Sequence, residues 1–276
     1  STACQEFFLM TNLKILVVEG NDPKNSEFFK RAAKASCSEN LKNLVLKLEP
    51  NSKIDIINPA RDDETKTALE NISNYHGIIF TGGAMRLNDM TDEIKKHINF
   101  ASNCFKHDNK ILAICWGLQV CSVAAGGKVA PGKKGAHVGI ASDIEINEEG
   151  KKNIIYKNKK LKFTSPAFNY DEVCEIPPGA TLLSSDKVNN VMGVSFNAGN
   201  SEIIGLQYHP DYEYSQMLKL IAGRKERLFV NKNFLNDEEY ENHISYIESK
   251  NELLNFKDRT CEVRNWINYI KEPILK

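Results

Sequence analysis

Neither sign of charge prevails in this sequence. Its 276 residues carry 36 Lys and Arg against 36 Asp and Glu, whereas a nucleic-acid binder would show a basic surplus or a clustered basic face. No apolar run is long enough to cross a bilayer: the longest, Ile111 to Ala125, is broken by Gln119 and is shorter than the roughly 20 residues a spanning helix needs. The seven cysteines (Cys4, Cys37, Cys104, Cys115, Cys121, Cys174, Cys261) are odd in number and scattered, without the close pairing of zinc ligands. They read as reduced thiols, and the chain as cytoplasmic. His97 and His107 stand ten residues apart, which is not the spacing of metal ligands on one helix face. Internal repeats and low-complexity tracts are missing. The turns Gly126-Gly-Lys128 and Gly132-Lys-Lys134 lack the spacing of a phosphate loop. The opening STACQEFFL has neither a basic stretch nor a long apolar region of a secretory signal. Residues 1–9 are therefore expected to be an appended segment outside the fold.

What is present is an alternation of strand-like and helix-like segments. Leu13 to Val18 is a short β-branched apolar run, followed by a Gly-Asn-Asp-Pro turn and a helix-compatible stretch from about Lys24 to Ala35. The pattern repeats with a strand over Ile54–Ile57, a helix over Asp62–Ile72, a strand over His76–Phe80, a helix from Thr91 to about Phe105, and a strand over Lys110–Ile114. Nearly unbroken apolar strands are those of a parallel sheet covered on both faces, so a doubly wound α/β fold is expected. Beyond Val129 the strand-like pieces shorten (Ile140–Ile146, Leu161–Thr164, Val191–Phe196, Ile203–Gln207), which points to antiparallel pairing. From residue 213 the pattern is helical and charged. The division expected is a catalytic domain over 10–212 and a helical extension over 213–276. An amphipathic helix packs on its own domain more often than it awaits a partner, so the extension is expected to cover the sheet, with docking as the alternative.

Three strand ends carry residues fit for chemistry. In Ile111-Leu-Ala-Ile-Cys-Trp-Gly-Leu-Gln119 a buried-type strand meets a cysteine and then helix-forming residues, the arrangement of a nucleophile elbow. A helix N-terminus behind Cys115 stabilises a thiolate. Small residues, Ala113 and Gly117, flank it where the backbone crowds. Phe80-Thr-Gly-Gly-Ala84 ends a neighbouring strand, and the backbone N–H groups of Gly83 and Trp116 are candidates for an oxyanion hole. Ile203-Ile-Gly-Leu-Gln-Tyr-His-Pro-Asp211 brings His209 to a third strand end, as the acid-base group a thiol hydrolase needs, with Asp211 to orient it. An inert buried cysteine, a tight glycine turn and a surface histidine are the ordinary alternatives; the coincidence of all three at strand ends favours catalysis.

Over residues 13–212 these motifs resemble the class I glutamine amidotransferases, most closely the amidotransferase portion of GMP synthases and its stand-alone relatives. Thr81-Gly-Gly is similar to the family's oxyanion strand, Cys115-Trp-Gly-Leu-Gln119 to its cysteine elbow, and Gln207-Tyr-His-Pro-Asp211 to its His-Pro-Glu motif. The resemblance implies that Gln119 and the Gly135–Gly139 loop, with Gly135 and His137, hold glutamine together with Asn169 and Tyr170. The segment Asn169 to Val173 then stands for the family's Ser-His-Gly-Asp-x-Val stretch. The chain departs from the pattern at Ala113 for glycine, at Asp211 for glutamate and at Asn169 for histidine. Because the Asp211 carboxylate is one methylene shorter, Glu213 is a second candidate to orient His209.

The reaction implied is attack of Cys115 on a glutamine side-chain amide, loss of ammonia, and hydrolysis of a γ-glutamyl thioester, with no cofactor. In many members of the family the ammonia passes to a synthase domain or partner; this sequence has no Ser-Gly-Gly-x-Asp-Ser ATP-pyrophosphatase loop, so the acceptor site is expected elsewhere, on a synthase partner, or absent. Two alternatives stand beside it: a hydrolase of other γ-glutamyl amides or peptides, and a non-catalytic binding or regulatory module on the same fold. An oligomer is compatible with either.

Overall fold

The computed structural model describes residues 12–275; the segment 1–9 lies outside them. Strand β1 (Lys14–Val18) leads into α1 (Pro23–Ala33), which starts where the Asp22 carboxylate accepts from the Asn25 amide and Pro23 fills the first turn. A second helix, α2 (Cys37–Leu48), follows directly, opened by a reciprocal capping box between Ser36 and Glu39. The alternation of segments in the sequence predicts no element there, although the capping signature and Leu41, Leu44 and Val45 are its markers. Strand β2 (Lys53–Ile57), α3 (Asp62–Glu70), β3 (Gly77–Phe80), α4 (Asp92–Cys104), β4 (Lys110–Ile114) and α5 (Trp116–Ala124) complete the first half.

The second half is built of shorter strands. In chain order they are β5 (Lys128–Pro131), β6 (His137–Val138), β7 (Ala141–Ile146), β8 (Lys162–Ser165), β9 (Phe168–Asn169), β10 (Asp171–Glu175), β11 (Thr181–Ser185), β12 (Gly193–Ala198) and β13 (Ser201–Leu206), with the short helix α6 (Glu148–Lys152) after β7. Nine strands form one sheet in the order β2-β1-β3-β4-β13-β12-β11-β7-β8. Strands β2, β1, β3, β4 and β13 run parallel, and pairing turns antiparallel from β12 onward. The decisive feature is β13: late in the chain, it inserts beside β4, with Ile114 opposite Leu206, while Phe80 of β3 faces Ala113 from the other side. Three carboxyl ends, those of β3, β4 and β13, therefore emerge next to one another, where open α/β sheets bind ligands.

Alternation along the strands divides the core. Ile15, Val17, Leu112, Ile114 and Leu206 face one side, and Leu16, Val18, Ile111 and Ala113 the other. Helices α3, α4 and α5 cover the second side. The first is covered by α2 and by the last of the C-terminal helices, α11 (Cys261–Leu275), through Val263, Trp266 and Ile270. Gly77 permits this docking, because a Cβ there would lie 2.5 Å from the Trp266 ring. The other C-terminal helices, α7 (Tyr214–Gly223), α8 (Lys225–Val230), α9 (Asp237–Glu252) and α10 (Phe256–Arg259), lie elsewhere. Tyr214, Ile221, Leu228 and Ile247 join Val138 and Ile140 in a separate cluster above the β6–β9 ribbon. The helices beyond residue 212 thus share cores with the sheet domain. Among the described residues no helix is long and apolar enough to cross a membrane.

Candidate active site

Cys115 sits at the junction of β4 and α5 with φ 53° and ψ −109°, a conformation L-residues avoid. Strain of this kind persists only where surroundings over-determine it. Here the α5 N-terminus is pressed onto β3, so that a Cβ at Gly117 would lie 2.3 Å from the Phe80 carbonyl oxygen. The turn lifts the Cys115 side chain out of the sheet. Its Sγ lies 3.5 Å from the Phe168 carbonyl oxygen and 3.5 Å from Gln207 Nε2.

His209, buried, follows β13 and has its backbone N–H fixed by the Pro166 carbonyl at 2.7 Å. Its Nδ1 lies 3.0 Å from Asp211 Oδ1, so the shorter carboxylate reaches the imidazole directly. Glu213 does not take that place; it caps α7, where its backbone N–H donates to Gln216 at 2.9 Å. The opposite edge of the imidazole lies toward Cys115: one point, a Cβ at Gly82, would be 3.1 Å from His209 Nε2 and 3.6 Å from the Cys115 Cβ. Burial disfavours the imidazolium, yet the Asp211 and Cys115 charges outweigh it and push His209 up to about 10. The loop bearing Asp211 is anchored on both sides. Asn40 of α2 donates to the Asp211 carbonyl at 2.9 Å, and Arg259 of α10 donates to the Pro210 and Tyr212 carbonyls at 2.6 and 2.9 Å.

Gly82 and Gly83 close the site from the β3 side. A Cβ at Gly82 would lie 2.5 Å from the His209 ring and 3.6 Å from the Cys115 Cβ, and one at Gly83 would collide with the Gly20 carbonyl at 2.2 Å. Both positions demand glycine for close approach. Neither the Gly83 nor the Trp116 amide donates a hydrogen bond within the described residues, and both residues border the cavity at the thiol. That cavity, about 280 Å³, is also lined by Gln119, Asn169, Tyr170 and Asp171.

The residues singled out for substrate binding divide. Gln119 Nε2 donates to the Asp171 carbonyl at 3.0 Å and to Gln207 Oε1 at 3.3 Å, which ties it to the partner of the thiol. Asn169 and Tyr170 line the cavity, but the Asn169 amide is engaged with the Asp171 carbonyl and Asn189, each at 2.9 Å. His137 stands behind it, 2.7 Å from Asn169 Oδ1 through Nδ1 and 2.7 Å from Asp186 through Nε2. Gly135 is exposed and borders no part of the cavity. Sequence reasoning passes over Gln207, although it stands inside a quoted motif. It also passes over Arg86, Arg224 and Arg227, which line the cavity and whose charge gives no local signature. Among the described residues no His/Cys/Asp/Glu group could hold a metal ion.

Residues 33–224 match the profile of the glutamine amidotransferase class-I family. A γ-glutamyl-L-1-hydroxyisopropylamide hydrolase of Pseudomonas sp is 24% identical, with 97% of this chain and 96% of that protein covered. A glutamine-hydrolyzing GMP synthase subunit of Methanococcus vannielii is 29% identical over 59% of this chain and 80% of its own length. Gamma-glutamyl peptidase 5 of Arabidopsis thaliana is 29% identical over 55% of this chain, and the match spans 60% of that protein. A crystal structure of a glutamine amidotransferase from Thermotoga maritima superposes with a TM-score of 0.68, covering 95% of this chain and 99% of its own at 16% identity.

Proposed function

Starting from the membership of this chain in the class I glutamine amidotransferase family, we propose that it hydrolyses γ-glutamyl amides through a thioester on Cys115. The observation that supports this reading is Cys115 on the wall of a cavity, close to the hydrogen-bonded His209–Asp211 pair, with the Gly83 and Trp116 amides free beside it. His209 takes the Cys115 proton, and the thiolate attacks the γ-carbonyl carbon. The oxyanion that develops is held by the two backbone amides. His209 then delivers its proton to the departing nitrogen, the C–N bond breaks, and a γ-glutamyl thioester remains. Water, deprotonated by His209, cleaves that thioester to glutamate and restores the thiol. Asp211 keeps the Nδ1 proton in place and stabilises the imidazolium.

An amide larger than glutamine is favoured by the size of the space. The cavity at the thiol adjoins a second cleft of about 560 Å³ between α1 and α8, and the two share Arg224, Arg227 and Asn231. Ammonia needs no such room. The near end-to-end similarity to a γ-glutamyl amide hydrolase supports the same choice. The second reading, a glutaminase that passes ammonia to a synthase partner, is favoured by the similarity to the GMP synthase component of Methanococcus vannielii. Ammonia release from glutamine, measured against amine release from γ-glutamyl alkylamides with wild type and Cys115→Ala, separates the two. Preferential amine release that vanishes in the variant is expected. Turnover of glutamine alone supports the glutaminase, and turnover surviving in Cys115→Ala refutes both.

A further inference from the structure

Along the wall of this cavity, charge is left uncompensated. Three guanidiniums, those of Arg86, Arg224 and Arg227, line the cavity beside a single carboxylate, that of Asp171. Asp171 is fully engaged by Arg86, whose Nε and Nη2 lie 2.7 and 2.5 Å from its two oxygens. Arg224 and Arg227 have no carboxylate within ion-pair distance among the described residues. The Arg224 side chain is held in place by stacking, its guanidinium 4.7 Å from the Phe28 ring and 5.8 Å from each of the Phe29 and Phe168 rings. Such contacts orient a guanidinium and leave its charge unneutralised. Burial, with Arg227 nearby, holds Arg224 below its ordinary value, although the Tyr170 hydroxyl pulls the other way. That hydroxyl is itself buried against Asn231 without a well-formed hydrogen bond. The adjoining cleft adds Lys24 and Arg31 against one acid, Glu226. One guanidinium held by stacking, a second lining the same cavity, an unsatisfied phenol and a predominantly basic approach form a receptor for an anion.

Which anion fits follows from the substrate class proposed above, on which this inference rests. The α-amino acid end of a γ-glutamyl group carries an ammonium next to its carboxylate, and two unpaired guanidiniums would repel that ammonium. A bare carboxylate is found instead on the leaving side, when the amide nitrogen belongs to an amino acid. We propose that Arg224 and Arg227 form a subsite for the carboxylate of the leaving residue, so that the preferred substrates are γ-glutamyl amino acids and short γ-glutamyl peptides. These arginines determine specificity and take no part in bond making.

The test compares γ-glutamylglycine with γ-glutamylmethylamide, which differ only by the leaving-group carboxylate, using the full chain. Wild type is expected to favour γ-glutamylglycine in kcat/KM by about ten- to a hundredfold, the range of a charge-assisted contact, with the difference carried mainly by KM. In Arg227→Ala, an exposed position that leaves folding intact, and in Arg224→Lys the ratio falls toward one. Raised salt should lower the wild-type ratio more than that of either variant. Equal wild-type turnover of the two amides overturns the assignment while leaving γ-glutamyl hydrolysis standing. A ratio unchanged in both variants overturns it as well, as does a proportional loss on both substrates, which would place the arginines at the glutamyl carboxylate. Cleavage of glutamine with neither amide accepted removes the substrate class beneath it.

Discussion

The two ends of the active-site cavity are made in different ways. The thiol end is assembled from neighbouring strand ends of the parallel sheet, so Cys115, His209 and Gly83 inherit their positions from the pairing of β3, β4 and β13. The arginine end is assembled from the turn between α7 and α8, which packs against α1 and the β6–β9 ribbon. In the proposed reading, chemistry belongs to the backbone of a buried sheet, and recognition to helices added after it. A substitution at one end should therefore alter kcat and at the other KM.

The largest effect tests the thiol end. Cys115→Ala should remove at least about 10⁴-fold of amide hydrolysis, the scale lost with a nucleophile, while calorimetry still detects binding of the γ-glutamyl amide; loss of both together would mean that the two ends are not separable. Next is Asp211→Asn, expected to lower kcat by about two to four orders of magnitude through the wrong His209 tautomer. It should also shift the pH profile. His209 stands at about 10, above its ordinary value of 6.5, so the wild-type alkaline limb is expected near pH 10. Without the Asp211 charge, burial is opposed by Cys115 alone, and that limb should move to lower pH; an unmoved limb would contradict the assigned ion pair. The same sign governs stability: the imidazolium contribution is complete below about pH 6.5 and is lost as pH rises toward 10.

A smaller effect tests whether the C-terminal helices reach the thiol end. Arg259→Ala leaves the Pro210 and Tyr212 carbonyls without their donor, a cost of about 1–3 kcal/mol. Loosening of Asp211 should lower kcat about ten- to a hundredfold, with KM nearly constant and partial rescue by Arg259→Lys. A change confined to KM would place Arg259 at the substrate instead. Smallest in activity is Gly77→Ala, where the new Cβ meets Trp266. Urea unfolding should register a loss of about 1–3 kcal/mol, with kcat at low temperature unchanged. If stability were unaltered, α11 would not be a working layer of the core.

The same contrast explains what could be read in advance. Strands such as Leu13–Val18 and Lys110–Ile114 are legible because burial on both faces demands unbroken apolar runs, and Cys115 and His209 because each closes such a run. Helix α2 escapes notice, although Ser36 and Glu39 mark its start; its Asn40, which holds the Asp211 carbonyl, goes with it. Strands β10 and β11 are as long as β4 but only partly buried, so no unbroken apolar run announces them. Arg224 and Arg227 look like ordinary helix-surface charges until folding shows that, among the described residues, no carboxylate comes within ion-pair distance of them while both line one cavity. His137 carries a resemblance to substrate-binding residues, whereas its place in the fold is behind Asn169.

The proposed mechanism stands on one covalent species. Rapid acid quench of the protein during turnover of γ-glutamylglycine, followed by peptide mass spectrometry, should find a γ-glutamyl group on Cys115 and on no other cysteine, and none in Cys115→Ala. Steady turnover with an unmodified Cys115, or with the acyl group on another residue, would contradict it.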